Sequence, residues 1–167
     1  MNLHSLADES LSHVAAGWSM FNAENPQKSL AEAKRVLQDG GVLVASSWEE
    51  TDWLRIVRVI KQIDPAREPP AIPEEWSKAP SLKLQLEAGG YRDVEVHKVP
   101  VDIPFASYTS FVDVMMTKVT QVAAASQDLS DEKKELMRNL MINEMRSICP
   151  LEPGILKASS LVAVGSK

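Results

Sequence analysis

The chain has 167 residues, a net charge of −5 and 44% hydrophobic residues. This length suits a single domain over residues 1–167, and the apolar fraction is sufficient for a core, so global disorder is excluded. The acidic balance argues against a surface for nucleic acid or anionic lipid. No apolar run is long enough to cross a bilayer, and no secretory signal follows Met1. We therefore expect a soluble cytoplasmic protein without nucleic-acid or membrane partners.

Cysteine and histidine are too sparse for a metal centre or a disulfide framework. Cys149 is the single cysteine, which excludes a disulfide network and a cysteine-built zinc site. The histidines, His4, His13 and His97, are too dispersed to form a recognisable metal site. The sequence also contains no P-loop, no G-x-S-x-G and no H-E-x-x-H motif. We expect no bound metal.

The first part of the chain has the pattern of a parallel α/β unit. Residues 13–18 form a short apolar run that predicts a strand, and Asn25-Pro26 predicts the start of a helix, because Asn caps helices and Pro suits their first turn. Apolar residues recur at helical spacing up to Gly40-Gly41, which we expect to end the helix. Residues 42–45 are apolar without alternation, which indicates a strand covered on both faces.

The rest of the chain predicts helices interspersed with two further strands. Helical spacing covers residues 51–63 and 78–88, and a long helical region follows Phe105, with Ser130 capping its last helix. Alternating valines over residues 93–101 predict a strand with one wetter face or at a sheet edge, and residues 159–165 predict the last strand. Two apolar stripes are expected to pack in the helical region: Tyr108, Phe111, Met115, Val119 and Val122, then Leu136, Leu140, Met141, Met145 and Ile148.

Three segments in register carry a resemblance to a known family. Residues 32–44 read E-A-K-R-V-L-Q-D-G-G-V-L-V, which resembles the E-x-x-R-V-L-K-P-G-G segment of class I S-adenosylmethionine-dependent methyltransferases. Residues 6–14, L-A-D-E-S-L-S-H-V, are similar to the family's L-P-F-P-D-E-S-F-D-x-V before its fourth strand. Residues 86–94, L-E-A-G-G-Y-R-D-V, are similar to its L-x-x-A-G-F-x-x-V before the sixth strand.

The resemblance implies an α/β fold made of the second half of a Rossmann-like methyltransferase sheet. The strands would correspond to the family's strands in the order 4-5-7-6, with flanking helices and a helical lid insertion at about residues 104–150. The family holds its cofactor with a glycine-rich turn and two acids on earlier strands, and no G-x-G-x-G occurs in this sequence. We therefore expect a truncated domain that binds no cofactor.

The same resemblance implies that the first strand lies at an edge of the sheet. Residues 13–20 contain no lysine, proline or charged side chain that would discourage pairing with another chain. We expect a second subunit to cover this strand, most simply its own copy in a homodimer.

Side chains beyond the carboxyl ends of the strands predict a ligand pocket. Aromatic residues and methionine offer large contact areas with few polar demands, which suits a small apolar substrate. The alternative is that these residues seal the core or a dimer interface. The predicted substrate-binding residues are Trp18, Phe21, Asn22, Trp48, Phe105, Tyr108, Phe111 and Met115.

Two residues are candidates for catalysis, and the overall activity has competing interpretations. Glu49 at a strand end and His4 on the N-terminal loop could transfer protons. The first hypothesis is a methyltransferase-like enzyme of secondary metabolism that has lost cofactor binding and catalyses a cyclisation, isomerisation or dehydration of an apolar biosynthetic intermediate. The alternatives are a split or regulatory subunit of a genuine methyltransferase, or a fragment of one.

Overall fold

The computed structural model describes residue 3 and residues 5–167, which form two compact units. Unit 1 comprises residues up to Glu50, Ile72–Pro100 and Ser159–Lys167, and unit 2 comprises Thr51–Ala71 and Val101–Ala158. The predicted insertion at about residues 104–150 lies within unit 2, and its role as a lid stays a prediction.

The strands are β1 (Leu11–Ala16), β2 (Leu37–Thr51), β3 (Arg92–Phe105) and β4 (Gly154–Ser166). The helices are α1 (Pro26–Val36), α2 (Asp52–Val57), α3 (Ile60–Ile63), α4 (Glu74–Ser77), α5 (Ala79–Ala88), α6 (Tyr108–Lys118), α7 (Thr120–Ser126) and α8 (Asp131–Ile148).

The described strands form one four-stranded sheet in the order β1-β2-β4-β3. β1 and β2 are parallel, with Val14 opposite Leu43 and Ala16 opposite Ala45. β4 is antiparallel to β2, because the amide of Lys167 donates to Gly41 O at 2.9 Å while Ser160, earlier on β4, bonds to Ser47, later on β2. This order confirms the predicted 4-5-7-6 arrangement, and it places β1 and β3 at the two edges.

Local sequence explains where the main helices begin. Asn25 caps α1, since its side-chain oxygen accepts the amide of Lys28 at 2.9 Å and Pro26 follows as the first helical residue. Ser130 caps α8 in the same way by accepting the amide of Lys133 at 3.4 Å. Both predicted caps are confirmed. Among the described residues no helix combines the length and the apolar character that a bilayer crossing requires.

Each unit buries its own core. In unit 1, α1 and α5 contribute Leu30, Ala33 and Leu86 to a cluster with the sheet residues Leu43 and Leu161. On β2 the buried residues alternate with half-buried ones, so one face of this strand lies in the core and the other is partly open. The core of unit 2 is rich in methionine and contains the buried side chains of Met115, Met137, Met141 and Met145.

The structure corrects the predicted end of the first helix. α1 ends at Val36, and Gly40-Gly41 lies within β2, at a register shift between the pair Leu11–Leu37 and the pair His13–Val42. Gly40 has a φ of +73°, which allows the extra residues of β2 to bulge. The double glycine therefore serves a strand irregularity.

Further features of the elements also differ from the predicted ones. The first strand is Leu11–Ala16, so Trp18 lies beyond its carboxyl end. The helical stretch 51–63 is interrupted between α2 and α3. In α8 the buried residues are Met137, Met141, Ile142 and Met145, while Leu136 is 48% exposed. Consecutive apolar residues such as Leu136 and Met137 fit two neighbouring stripes equally well, and packing against α2 and α6 selects one.

Candidate functional site

In unit 1, the carboxyl ends of the parallel strands carry two stacked indoles. The rings of Trp18 and Trp48 lie 4.7 Å apart between centroids with an interplanar angle of 10°. Trp48 is on β2, and Trp18 follows the last residue of β1 by two positions. Ligands of open α/β sheets bind at this edge, so the two rings, here termed the indole pair, mark a candidate site.

Polar contacts hold Trp18 in an unusual backbone conformation. Its φ is +44°, in the left-handed region, which costs a bulky residue roughly 1–3 kcal/mol. Its amide donates to Ser46 Oγ at 3.0 Å, and its indole Nε1–H donates to Ser160 Oγ at 3.1 Å. Its carbonyl accepts the side-chain amide of Asn22 at 3.1 Å. The position of this ring is thus set by partners on β2, β4 and the turn after β1.

The Trp18 ring is held in place but it is not buried. It is 42% exposed, although it stacks on Trp48 and its N–H is hydrogen-bonded. Ser160 is itself fixed, because its hydroxyl donates to Ser47 O at 3.0 Å. Trp18 therefore presents a fixed and partly exposed aromatic side chain at the edge of the sheet where ligands of open α/β folds bind.

Glu49 belongs to a separate polar group on the other side of the sheet. Lys98 Nζ lies 2.6 Å from Glu49 Oε2, and Ser159 Oγ donates to the same carboxylate at 3.2 Å. The hydrogen bond to Glu49 raises the pKa of Lys98, while desolvation acts in the opposite direction. Consecutive strand residues point to opposite faces, so Glu49 points away from the face that carries Trp48.

One buried hydroxyl near this group has no partner among the described residues. Ser47 is 0% exposed, and its Oγ accepts and donates no hydrogen bond there, although its carbonyl is bonded to Ser160. It shares a face of β2 with Leu43 and Ala45, which are fully buried. This arrangement leaves a polar atom inside an otherwise apolar layer.

In unit 2, the predicted aromatic residues form part of a packed core. Phe105 lies 5.5 Å from the Tyr108 ring and 6.0 Å from the Phe111 ring, between centroids. Phe105, Tyr108 and Met115 are each about 5–6% exposed. The Tyr108 hydroxyl donates to Cys149 O at 2.9 Å, and the Arg146 guanidinium lies over its ring at 5.5 Å. These contacts are those of packing residues.

The predicted site residues therefore fall into different environments. Unit 1 holds Trp18, Phe21, Asn22, Trp48 and Glu49. Of these, Phe21 is 7% exposed and packs in the core, and the others are at least partly accessible. Unit 2 holds Phe105, Tyr108, Phe111 and Met115. His4 lies outside the described residues. The binding and catalytic roles of all these residues stay predictions.

Four polar residues of unit 1 were not anticipated: Ser46, Lys98, Ser159 and Ser160. Ser46 stands where the apolar run of β2 ends, which is a weak signal for a strand end near a site. Ser159 and Ser160 contact different partners because they point to opposite faces of β4. No local pattern in the sequence links these serines to Trp18 or Glu49, since the partners are more than 100 residues apart.

Comparisons with known proteins identify the fold. A family model described as "Methyltransferase domain" matches residues 1–45. The sequence is 40% identical over 165 residues to Methyltransferase ucsB of Acremonium sp, which covers 99% of this chain and 57% of that protein. Two solved structures have similar folds. A candidate methyltransferase of Bacillus halodurans has a TM-score of 0.51 and 19% identity, covering 97% of this chain and 66% of that one. A candidate methyltransferase from an antibiotic biosynthesis pathway of Anabaena variabilis has a TM-score of 0.54 and 16% identity, and the match covers 97% of this chain and 69% of that one.

The chain has a class I S-adenosylmethionine-dependent methyltransferase-like fold, as the sequence predicts. It spans 57% of the length of the curated relative that it matches. Glu49, an acid that follows the apolar run of β2, is occupied by Lys98 and Ser159 and points away from the indole pair. Residues 3 and 5–167 also contain no group of three or more His, Cys, Asp or Glu side chains that could bind a metal.

Proposed function

We propose that this chain forms the acceptor side of a small-molecule methyltransferase, with S-adenosylmethionine held by a polypeptide segment other than the described residues. The observation that carries this proposal is the 40% identity to Methyltransferase ucsB along 99% of the chain. Identity at this level, spread over both units, supports a shared type of reaction more strongly than fold similarity does. This proposal develops the subunit or fragment alternative that the sequence leaves open.

The indole pair supports a role in binding the acceptor. Small-molecule sites are mostly apolar, with a few placed polar groups, and they bury most of the ligand surface. Trp18 offers a partly exposed ring, and Ser46 and Ser160 hold it in position. We assign these residues the tasks of binding and orienting the acceptor and of excluding water from one of its faces.

β1 is the edge at which a further segment joins the sheet. In the described part of the chain only one of its sides is paired, with β2. His13 and Ala15 are exposed, and neither they nor their neighbours on β1 carry a formal charge. A cofactor-holding segment would add its strand here, and in the isolated chain we propose that a second copy does so.

A second candidate function is a cofactor-independent cyclase, isomerase or dehydratase. The observation that favours it is the Glu49 group, which is complete within the described residues. A carboxylate held by a lysine and a serine hydroxyl is oriented, as a proton-transfer group must be. It ranks second because Glu49 and the indole pair belong to different faces of the sheet.

A chimera tests the first proposal. This chain would replace the matched region of Methyltransferase ucsB, and the chimera would be compared with the intact relative and with the isolated chain. We expect micromolar binding of S-adenosylmethionine by the chimera but not by the isolated chain, measured by calorimetry. We also expect formation of S-adenosylhomocysteine with the acceptor of the relative, reduced at least tenfold by Trp18→Ala.

Two outcomes would contradict the proposal. One is micromolar binding of S-adenosylmethionine by the isolated chain, which would mean that its own residues hold the cofactor. The other is a chimera that binds S-adenosylmethionine and yet forms no S-adenosylhomocysteine under conditions in which the relative does. Leu84→Ala, at a 63% exposed position of α5, is the matched surface control and should leave turnover unchanged.

A further inference from the structure

We infer that the outer face of Trp18 binds the flat, conjugated ring of a neutral acceptor, which continues the indole pair as a third stacked layer. This inference rests on the proposed function, since it names the class of acceptor that the site would take. It depends on three features of Trp18: its fixed position, its exposed surface and the lack of charge among its polar partners.

The position of the ring is determined by contacts that do not involve a ligand. Hydrogen bonds from Trp18 to Ser46 and Ser160, and from Asn22 to Trp18, hold both the backbone and the indole. The left-handed backbone conformation at φ +44° persists only because these contacts impose it. The protein thus holds a large ring rigidly at the edge of the sheet, so a ligand does not have to order it on binding.

The indole of Trp18 has one face and its N–H in use, while the residue stays 42% exposed. Trp48 stacks on one face at a centroid distance of 4.7 Å and Ser160 accepts the N–H, and we assign the exposed surface to the second face of the ring. A face without a free donor or acceptor recognises a ligand by area and by stacking geometry. The two indoles are nearly parallel, with an interplanar angle of 10°, and a third planar ring would continue this stack.

The surroundings favour a neutral ring over a cation. Within the part of the chain that the structure describes, the polar partners of Trp18 are two serine hydroxyls and the Asn22 amide, and none of these contacts involves a carboxylate. Sites for quaternary ammonium groups typically surround the cation with several aromatic faces. Two indoles stacked at an interplanar angle of 10° form a flat stack rather than a cage, which suits a flat ligand.

A matched pair of probes tests this inference on the complete chain. We expect 2-naphthol to bind roughly tenfold more tightly than the saturated trans-decahydro-2-naphthol, as measured by calorimetry, because only the flat ring stacks. Trp18→Leu should remove this preference and Trp18→Phe should retain part of it. Leu84→Ala, which shortens another exposed apolar side chain, should change nothing.

A spectroscopic readout keeps the test independent of any folding defect in the variants. On addition of 2-naphthol to the ¹⁵N-labelled wild type, the indole N–H signal of Trp18 should move upfield by ring-current shielding. The signal of Trp53, which lies in unit 2, should stay in place. The Trp18 signal is assigned as the one missing from the spectrum of Trp18→Phe.

Three results would overturn the inference: equal affinity for the two naphthol probes, an unmoved Trp18 signal at saturation, or tighter binding of benzyltrimethylammonium than of 2-naphthol. These results are separable from failure of the proposed function. If 2-naphthol binds at Trp18 while the chimera forms no S-adenosylhomocysteine, the ring site stands and the methyl-transfer proposal fails. If the chimera is active and 2-naphthol does not perturb Trp18, the methyl-transfer proposal stands and the ring site fails.

Discussion

The two units use aromatic side chains in opposite ways. In unit 1, Trp18 stacks on Trp48 yet stays 42% exposed, and polar contacts hold it in a strained backbone conformation. In unit 2, Phe105 and Tyr108 are about 5–6% exposed and pack among methionines. Strain and exposure together point to a surface that binds something, whereas burial without strain points to packing. Aromatic composition alone does not separate these cases.

Two glycines, one beside the candidate site of unit 1 and one in the core of unit 2, show the same contrast in available space. A Cβ built on Gly17, next to Trp18, would meet no atom within 4 Å. A Cβ built on Gly154 would lie 2.6 Å from both Cys149 Sγ and the Phe105 ring, and 2.8 Å from Leu151 O. Unit 1 is therefore open at the candidate site, and unit 2 is tightly packed around its aromatic cluster.

The largest expected effect comes from adding one methyl group at each of these positions. Gly154→Ala should lower the free energy of unfolding by about 1–3 kcal/mol, because the backbone and the aromatic core of unit 2 must shift. Gly17→Ala should be neutral or stabilising by up to about 1 kcal/mol, since the methyl group meets open space and the unfolded chain loses freedom. Guanidinium chloride unfolding measures both changes.

Amide hydrogen exchange shows where the effect of Gly154→Ala is located. Faster exchange is expected in peptides from residues 101–158, with little change in peptides from residues 11–50. Equal destabilisation by the two alanines would mean that the units do not differ in packing as described.

The next effect concerns the one buried tyrosine in each unit. The Tyr91 hydroxyl donates to Leu30 O at 3.0 Å in unit 1, and burial raises the pKa of this phenol above its usual value near 10. Burial, and secondarily the nearby Glu152, raise the pKa of Tyr108 in unit 2, while Arg146 over its ring acts in the opposite direction. Above about pH 10 the unfolded chain releases these protons first, so the free energy of unfolding falls as pH rises.

Tyrosine-to-phenylalanine variants separate the two contributions. Tyr91→Phe should cost about 0.5–1.5 kcal/mol at pH 7 for the lost hydrogen bond, and should make the fall between about pH 9 and 11 shallower. Tyr108→Phe should have a smaller effect on the alkaline loss of unfolding free energy, because Arg146 favours the phenolate form of Tyr108. Chemical unfolding at each pH measures both, and the raised pKa of Lys98 adds the same background to every variant. A larger alkaline effect for Tyr108→Phe would reverse the comparison.

The smallest effect on stability is expected at the open edge of unit 1. Ala15→Lys places a charge at an exposed position of β1, which opposes pairing with another strand. We expect the wild type to be a dimer at micromolar concentration by light scattering, and the variant to be a monomer. The free energy of unfolding of the variant should lie within about 0.5 kcal/mol of that of a single wild-type subunit. Leu84→Lys on α5 should remain dimeric. A monomeric wild type would contradict pairing at β1.

Much of the fold could be predicted because it depends on local patterns. Helix caps at Asn25 and Ser130 follow from side-chain chemistry within three residues, and both are confirmed. The errors occur where two patterns overlap. Gly40-Gly41 suits a helix end as well as a bulge, and the register of β1 on β2 decided between them. The stripe on α8 is ambiguous by one residue for the same reason.

The candidate site was only partly predictable. The position of Trp18 and Trp48 near the carboxyl ends of β1 and β2 follows from the order of elements, which the sequence predicts. Their hydrogen-bond partners Ser46 and Ser160 come from β2 and β4, and the sequence contains no signal that brings Ser160, 142 residues away, to Trp18. Long-range contacts of this kind depend on strand order and register.

By itself the sequence determined most of the helices and strands, because capping, periodicity and turn chemistry act over a few residues. The family of folds was indicated by the resemblance of three segments to class I methyltransferases. Only the tertiary structure decided which aromatic side chains are buried and which remain open. Residues of the same chemical type, such as Trp18 and Phe105, differ in exposure because packing depends on neighbours from distant parts of the chain.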